Sequence, residues 1–116
     1  MARMMLLTKA NRKTLPSLKS NNNMPTDQQV AIVKFFDPCS AWTWFVTEGS
    51  PVFATEDGPE IDFEFYGLVI GHEKEWGYFN LSELQSIKGK WGLGIERDRH
   101  FTPKKISELR KGIDYP

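Results

Sequence analysis

Three carboxylates, Glu48, Glu75 and Glu96, each stand at the end of an apolar run or just before one. If a sheet brought them together with Arg97, they would form an acid/base or cation-binding cluster of the kind hydrolases and transferases use. The competing reading is that strand ends border solvent, where a charge costs little. Cys39 with His72 or His100 offers a nucleophile and base, since a thiolate needs a neighbouring imidazole to lower its pKa. No nucleophile motif surrounds Cys39, and a small residue in a turn after Asp37-Pro38 accounts for it. His72, Glu73, Glu75 and His100 are metal-ligand types, but the helical zinc motif needs histidines at i and i+4, and these two lie far apart. No metal site is expected. No cofactor is expected either, because no glycine-rich phosphate loop appears.

The stretch GLGIERDRHF crowds Glu96, Arg97, Asp98, Arg99 and His100 behind an apolar segment. On an extended backbone Glu96 and Asp98 share one side and Arg97 and Arg99 the other, so ion pairs could lock a turn, at roughly 0–1 kcal/mol each if exposed. Arg97 and Asp98 are therefore read as structural polar residues. A buried Arg97–carboxylate pair is the sharper alternative, since a guanidinium flanked by acids suits a bidentate contact.

The chain balances 15 basic residues against 15 acidic ones, so it is formally neutral. The charges are nonetheless unevenly placed. Residues 1–26 hold five basic and no acidic groups, residues 35–73 eight acidic and no Lys or Arg, and residues 88–111 eight basic against three acidic. Such a dipolar chain suits a complementary protein or a nucleic acid. The candidate contact surface is Lys88, Lys90, Lys104, Lys105, Arg110 and Lys111, flanked by Trp91 between glycines. The aromatics Trp42, Trp44, Phe45, Tyr66, Trp76, Tyr78 and Trp91 could stack bases, but basic residues do not alternate with them and core packing explains most. Trp76 and Trp91 are the two expected at the surface. A protein partner is preferred, with nucleic acid second and no membrane partner.

These side chains must be positioned by a small number of elements. Thr8 is placed to cap a short helix over residues 9–15, which Pro16 ends. Residues 20–29 read as a polar loop without chemistry. VAIVKFF (30–36), apolar on both faces, predicts a buried strand, and WTWFVTE (42–48) alternates as a second. Residues 51–62 carry two prolines and an Asp-Gly and read as a surface insertion or hairpin tip. DFEFYGLVIG (62–71) is a third strand, GYFN (77–80) a fourth, and WGLGIE (91–96) a fifth. Ser82 and Gln85 have capping-box spacing for a helix over 81–87, and SELRKG suggests another short helix closed by Gly112. The sum is an α+β domain, a mainly antiparallel four- to five-stranded sheet with two or three short helices. Val33, Phe35, Trp44, Phe65, Val69 and Phe79 should share its core.

With these segments in order, the chain resembles a family of small bacterial proteins known as a domain of unknown function and carried on plasmids, phages and other mobile elements. The resemblance spans about residues 5–110 and rests on TWFVTE, EWGYFNLSEL and GLGIERD. Thr43, Trp44, Glu48, Gly71, Glu75, Gly77, Tyr78, Leu84, Glu96, Arg97, Asp98 and Phe101 fall on its pattern, whereas Cys39 does not. The acidic 51–62 segment departs from it. The resemblance implies an accessory protein of a mobile element and brings no activity with it.

A chain of 116 residues makes one domain, 1–116, burying roughly 65% of its unfolded surface. A composition 40% hydrophobic and 13% aromatic folds rather than remaining disordered. The single cysteine removes any internal disulfide, and no segment approaches a signal peptide or a membrane span, so a cytoplasmic protein is expected. Catalysis is the less favoured reading.

Overall fold

The computed structural model describes residues 5–116. After helix α1 (Lys9–Thr14) the chain forms strands β1 (Val30–Ala31), β2 (Val33–Phe36), β3 (Thr43–Phe53), β4 (Glu60–Ile70) and β5 (Lys74–Asn80). Helix α2 (Leu81–Ser86) and the short strands β6 (Glu96–Arg97) and β7 (Lys104–Lys105) follow. The fold is α+β. A five-stranded antiparallel sheet has the order β5-β4-β3-β2-β6, and β1 pairs with β7 in a second, two-stranded sheet.

Strand β3 lies at the centre, and its residues 43–49 are buried on both faces, which the apolar and threonine residues at 43–47 permit. On one face, Val33, Phe35, Trp44, Val46, Phe63, Phe65 and Phe79 meet Leu15 beside α1, Leu84 of α2, and Ile95, with Val69 packed against them. All six residues expected to share a core do so. On the other face, Phe45, Leu68 and Ile70 meet Ala31 and Tyr115, joined by Trp76, Phe101, Ile106 and Leu109 from β5 and the C-terminal segment. The sheet is thus a middle layer, with the helices on its first face and the C-terminal segment on its second.

Helix α1 begins as its sequence requires. The Thr8 hydroxyl accepts from Asn11 N at 3.1 Å and Asn11 Oδ1 accepts from Thr8 N at 3.0 Å. The expected capping box of α2 does not form. Asn80 occupies the N-cap, and Ser82 instead donates its main-chain N–H and hydroxyl to Asp62 of the neighbouring strand. The segment 51–62 is also not a simple excursion. Pro51 pairs with Phe63 and Val52 with Asp62, so the hairpin ladder runs on to Phe53 and Glu60 and only the tip beyond them is loop. Residues 30–36 break at Ile32, where the first two pair with β7 and the rest with β3. The C-terminal helix is a single 3-10 turn, Ile106–Glu108. The fifth strand is confined to Glu96–Arg97, because residues 88–94 fold into a loop.

One irregularity matters for function. The β3–β4 register shifts between Val46 and Glu48, leaving Thr47 as the extra residue of a β-bulge. Without it, Glu48 would face the first core with Val46. With it, Glu48 pairs with Tyr66 and shares the second face with Phe45 and Leu68. The strands close up beside the bulge, where a Cβ on Gly67 would lie 2.0 Å from the Phe45 carbonyl oxygen. Only glycine fits there. No helix among the described residues is long and apolar enough to cross a membrane.

Candidate functional site

The loop between α2 and β6 is held at both ends by the first core. Ile87 packs against that core and Ile95 is buried in it. Between them Lys88 bridges to Gly94, Gly89 N donates to the Leu93 carbonyl at 2.7 Å, and Gly92 N to the Gly89 carbonyl at 3.2 Å. The base of the loop presses on the β2–β3 turn, where a Cβ on Gly89 would meet Cys39 Cβ at 3.1 Å. At the apex Trp91 takes φ 60° and ψ 22°, followed by Gly92 at φ 72°. A left-handed backbone costs a residue with a side chain roughly 1–2 kcal/mol. The indole it displays is 90% exposed, and Leu93 beside it is also exposed. Burying roughly 150–250 Å² of indole surface gains on the order of 4–6 kcal/mol. This loop leaves nearly all of that gain unused while holding a strained conformation.

The basic residues expected to surround Trp91 divide between two parts of the molecule. Lys88 is exposed on the Trp91 loop, and the side chain of Lys90 lies outside the described residues. Lys104 and Lys105 form β7, and they, Arg110 and Lys111 belong to the segment that covers the second face. Lys104 is already engaged, its Nζ 2.9 Å from Asp114 Oδ1 and over the Phe101 ring. Lys105, Arg110 and Lys111 are exposed. Trp76 is half-buried and stacks on Tyr66 with centroids 5.5 Å apart.

Glu48, Glu75 and Glu96 do not converge. Glu75 is on β5 and Glu96 on β6, the two opposite edges of the sheet, four strand spacings or about 19 Å apart. Glu75 is exposed and Glu96 half-buried. His72 packs edge-on against Trp42, and Cys39, His72 and His100 are all exposed. Among the described residues no group of three or more His, Cys, Asp or Glu side chains could hold a metal ion.

Arg97 takes a different partner from the carboxylate proposed for it. Its Nη1 donates to the main-chain carbonyls of Met5 and Leu6, tying the N-terminal segment to β6. Asp98 has side-chain partners in the turn that follows it and on β2. Its Oδ1 accepts from His100 N at 2.9 Å and its Oδ2 lies 3.4 Å from Lys34 Nζ.

Glu48 itself is only 3% exposed and lies where β3 has lost its β2 partner. Residues 16–21 fill that edge instead. Gly49 N donates to the Pro16 carbonyl at 2.9 Å, Lys19 N to Glu48 Oε1 at 2.9 Å, and Asn21 N to Glu48 Oε2 at 2.7 Å. The loop expected to carry no chemistry is therefore anchored on the buried carboxylate. Between this loop and the second face a cavity of about 260 Å³ is lined by Asn21, Met24, Gln29, Glu48, Tyr66 and Tyr78, among others. Tyr66 and Tyr78 are cross-strand partners with centroids 4.8 Å apart. Burial pushes the Tyr66 phenol pKa up, and the nearby Tyr78 and Glu48 charges add to that. Gln29, which sequence reasoning passed over, is 4% exposed, and its Oε1 is buried without a hydrogen-bond partner.

The family model described as Protein of unknown function (DUF2958) matches residues 6–111. No curated protein and no solved structure matches the chain.

Proposed function

The chain belongs to the DUF2958 family, and we propose that it is a binding module, an accessory protein of a bacterial mobile element that docks a protein partner through the Trp91 loop. The observation that carries this reading is the 90% exposed indole on a loop whose two ends are fixed in the core. Binding energy concentrates in a few aromatic anchors, and a loop already ordered loses little further entropy on docking. The matching partner surface is an apolar socket with an acidic rim, complementary to Trp91, Leu93 and Lys88. Nucleic acid is the weaker reading. The chain is neutral, its basic residues are split between two parts, and Lys104 is already paired. The carboxylate hydrolase is weaker still, since Glu75 and Glu96 occupy opposite edges.

The test is affinity capture from host lysate with the wild-type chain, Trp91→Ala and Lys88→Glu, with and without nuclease. A discrete protein should be recovered whether or not nuclease is added, and Trp91→Ala should weaken its binding about 30-fold, as loss of an anchor does. Capture abolished by nuclease would establish nucleic acid instead. Equal recovery with Trp91→Ala would place the contact surface elsewhere.

A further inference from the structure

We propose that the cavity between residues 21–29 and the second face of the sheet is a binding site for an organic cation, a guanidinium or ammonium group. It uses none of the residues of the Trp91 loop. At its base is the Glu48 carboxylate, 3% exposed, whose two oxygens receive one main-chain N–H each. An ionised carboxylate offers about four acceptor positions, so two remain. Among the described residues no Lys or Arg side chain forms an ion pair with Glu48, and none lines the cavity. Buried charges are ordinarily paired, and two amide dipoles complete only part of that requirement.

A second, independent observation points the same way. Gln29, another residue lining the cavity, carries a buried acceptor, Oε1, with nothing donating to it. A ligand rich in N–H donors would satisfy both groups. An anion would meet the Glu48 charge, and an apolar ligand would leave both acceptors unmet.

Another part of the lining is aromatic. Tyr66 and Tyr78 stand side by side at 53° to each other, and Trp76 extends the row by stacking on Tyr66. The negative faces of such rings attract a cation, and a planar guanidinium can also stack on them. The Glu48 carboxylate, whose charge also counts against a phenolate at Tyr66, attracts a positive guest. Tyr78 is 54% exposed and forms the open side. At about 260 Å³ the space is small for a metabolite and suits a side chain or a short cation.

The experiment is an NMR titration of the full chain, following the Asn21 main-chain amide and the Gln29 side-chain amide. The probes are agmatine, as a free guanidinium cation, and an acetylated, amidated peptide with one arginine. The same peptide with citrulline is the neutral control. Saturable shifts at both reporters, absent with citrulline and weakened about tenfold in Tyr78→Ala, are expected. Gln29→Met should weaken binding while retaining the fold, and Glu48→Gln should abolish it. If Glu48→Gln does not fold, the Tyr78 and Gln29 variants decide the matter. Response to agmatine alone would identify a free small cation as the guest, and response to the peptide alone an arginine side chain of a partner. Shifts that fail to saturate, that citrulline reproduces, or that both variants leave unchanged would overturn the site. Glu48 would then be a tie for the loop and nothing more.

Discussion

Replacing Glu48 by alanine tests how the 17–29 loop is held. The carboxylate receives the Lys19 and Asn21 amides at 2.9 and 2.7 Å, two of the bonds that hold residues 16–21 along the edge of β3 that β2 leaves open. A hydrogen bond to a charged group contributes roughly 1.5–3 kcal/mol, and an orphaned buried donor costs a comparable amount. Losing both would cost about 3–6 kcal/mol if the loop stayed in place. Lys19 and Asn21 can reach water once the loop lifts, because Lys19 is exposed and Asn21 half-buried. That escape limits the loss to about 2–4 kcal/mol, a fall in Tm on the order of 8–16 °C for a domain of this size. Denaturant unfolding gives the global figure and hydrogen exchange the local one. The Lys19 and Asn21 amides should lose protection while those of β4 opposite Trp44 keep theirs. Unchanged stability together with unchanged protection at Lys19 and Asn21 would refute the reasoning.

Trp44→Ala should cost about 3–5 kcal/mol by chemical denaturation, because the ring is buried among Phe35, Val46 and Phe65 in the first core; a loss below 1 kcal/mol would contradict that packing. Shortening the hairpin tip within residues 54–59 should leave Tm within a few degrees, whereas cutting back to Pro51 and Asp62 removes paired strand and should lower it measurably. Asp114 gives a pH signature. Burial raises its pKa, but the Lys104 ammonium, the Arg110 N–H and the Lys34 charge outweigh that and leave it below the ordinary 3.8. Its contribution is therefore complete above pH 3.8 and fades as pH falls through the depressed folded value. Asp114→Asn should flatten the wild-type loss of stability in that acid window, and two parallel profiles would show that Asp114 does not supply it.

Much of the sheet was legible in the sequence because alternation reports burial directly. Phe63 and Phe65 against Asp62 and Glu64 mark β4, and the continuous apolar run after Gly67 marks where both faces become covered. The candidate site was much less legible. Glu48 was identifiable as a carboxylate at a strand end, but its face depends on one extra residue at Thr47, which no alternation pattern announces. The partners of Glu48 are main-chain amides of Lys19 and Asn21, and amides carry no sequence signature. Gln29 looked like one polar residue among several, yet it is buried where residues 26–31 meet the C-terminal segment, its main-chain carbonyl accepting from Ile106 N at 2.9 Å. Likewise the basic run from 88 to 111 is continuous in sequence but straddles a strand, so its ends go to different cores. Trp91 could be found from its glycine neighbours, which signalled a turn too tight to bury an indole.

Site-specific crosslinking in host cells tests most directly the claim that this chain binds a protein through the Trp91 loop. A photo-crosslinking amino acid placed at Leu93 lies beside the exposed indole, and the same amino acid at Ile61 reports an exposed apolar position on the β3–β4 hairpin, a different part of the fold. The account predicts a discrete protein adduct from Leu93 that Trp91→Ala abolishes, with none of comparable yield from Ile61. Adducts of equal yield from both positions, or a Leu93 adduct that survives Trp91→Ala, would contradict it.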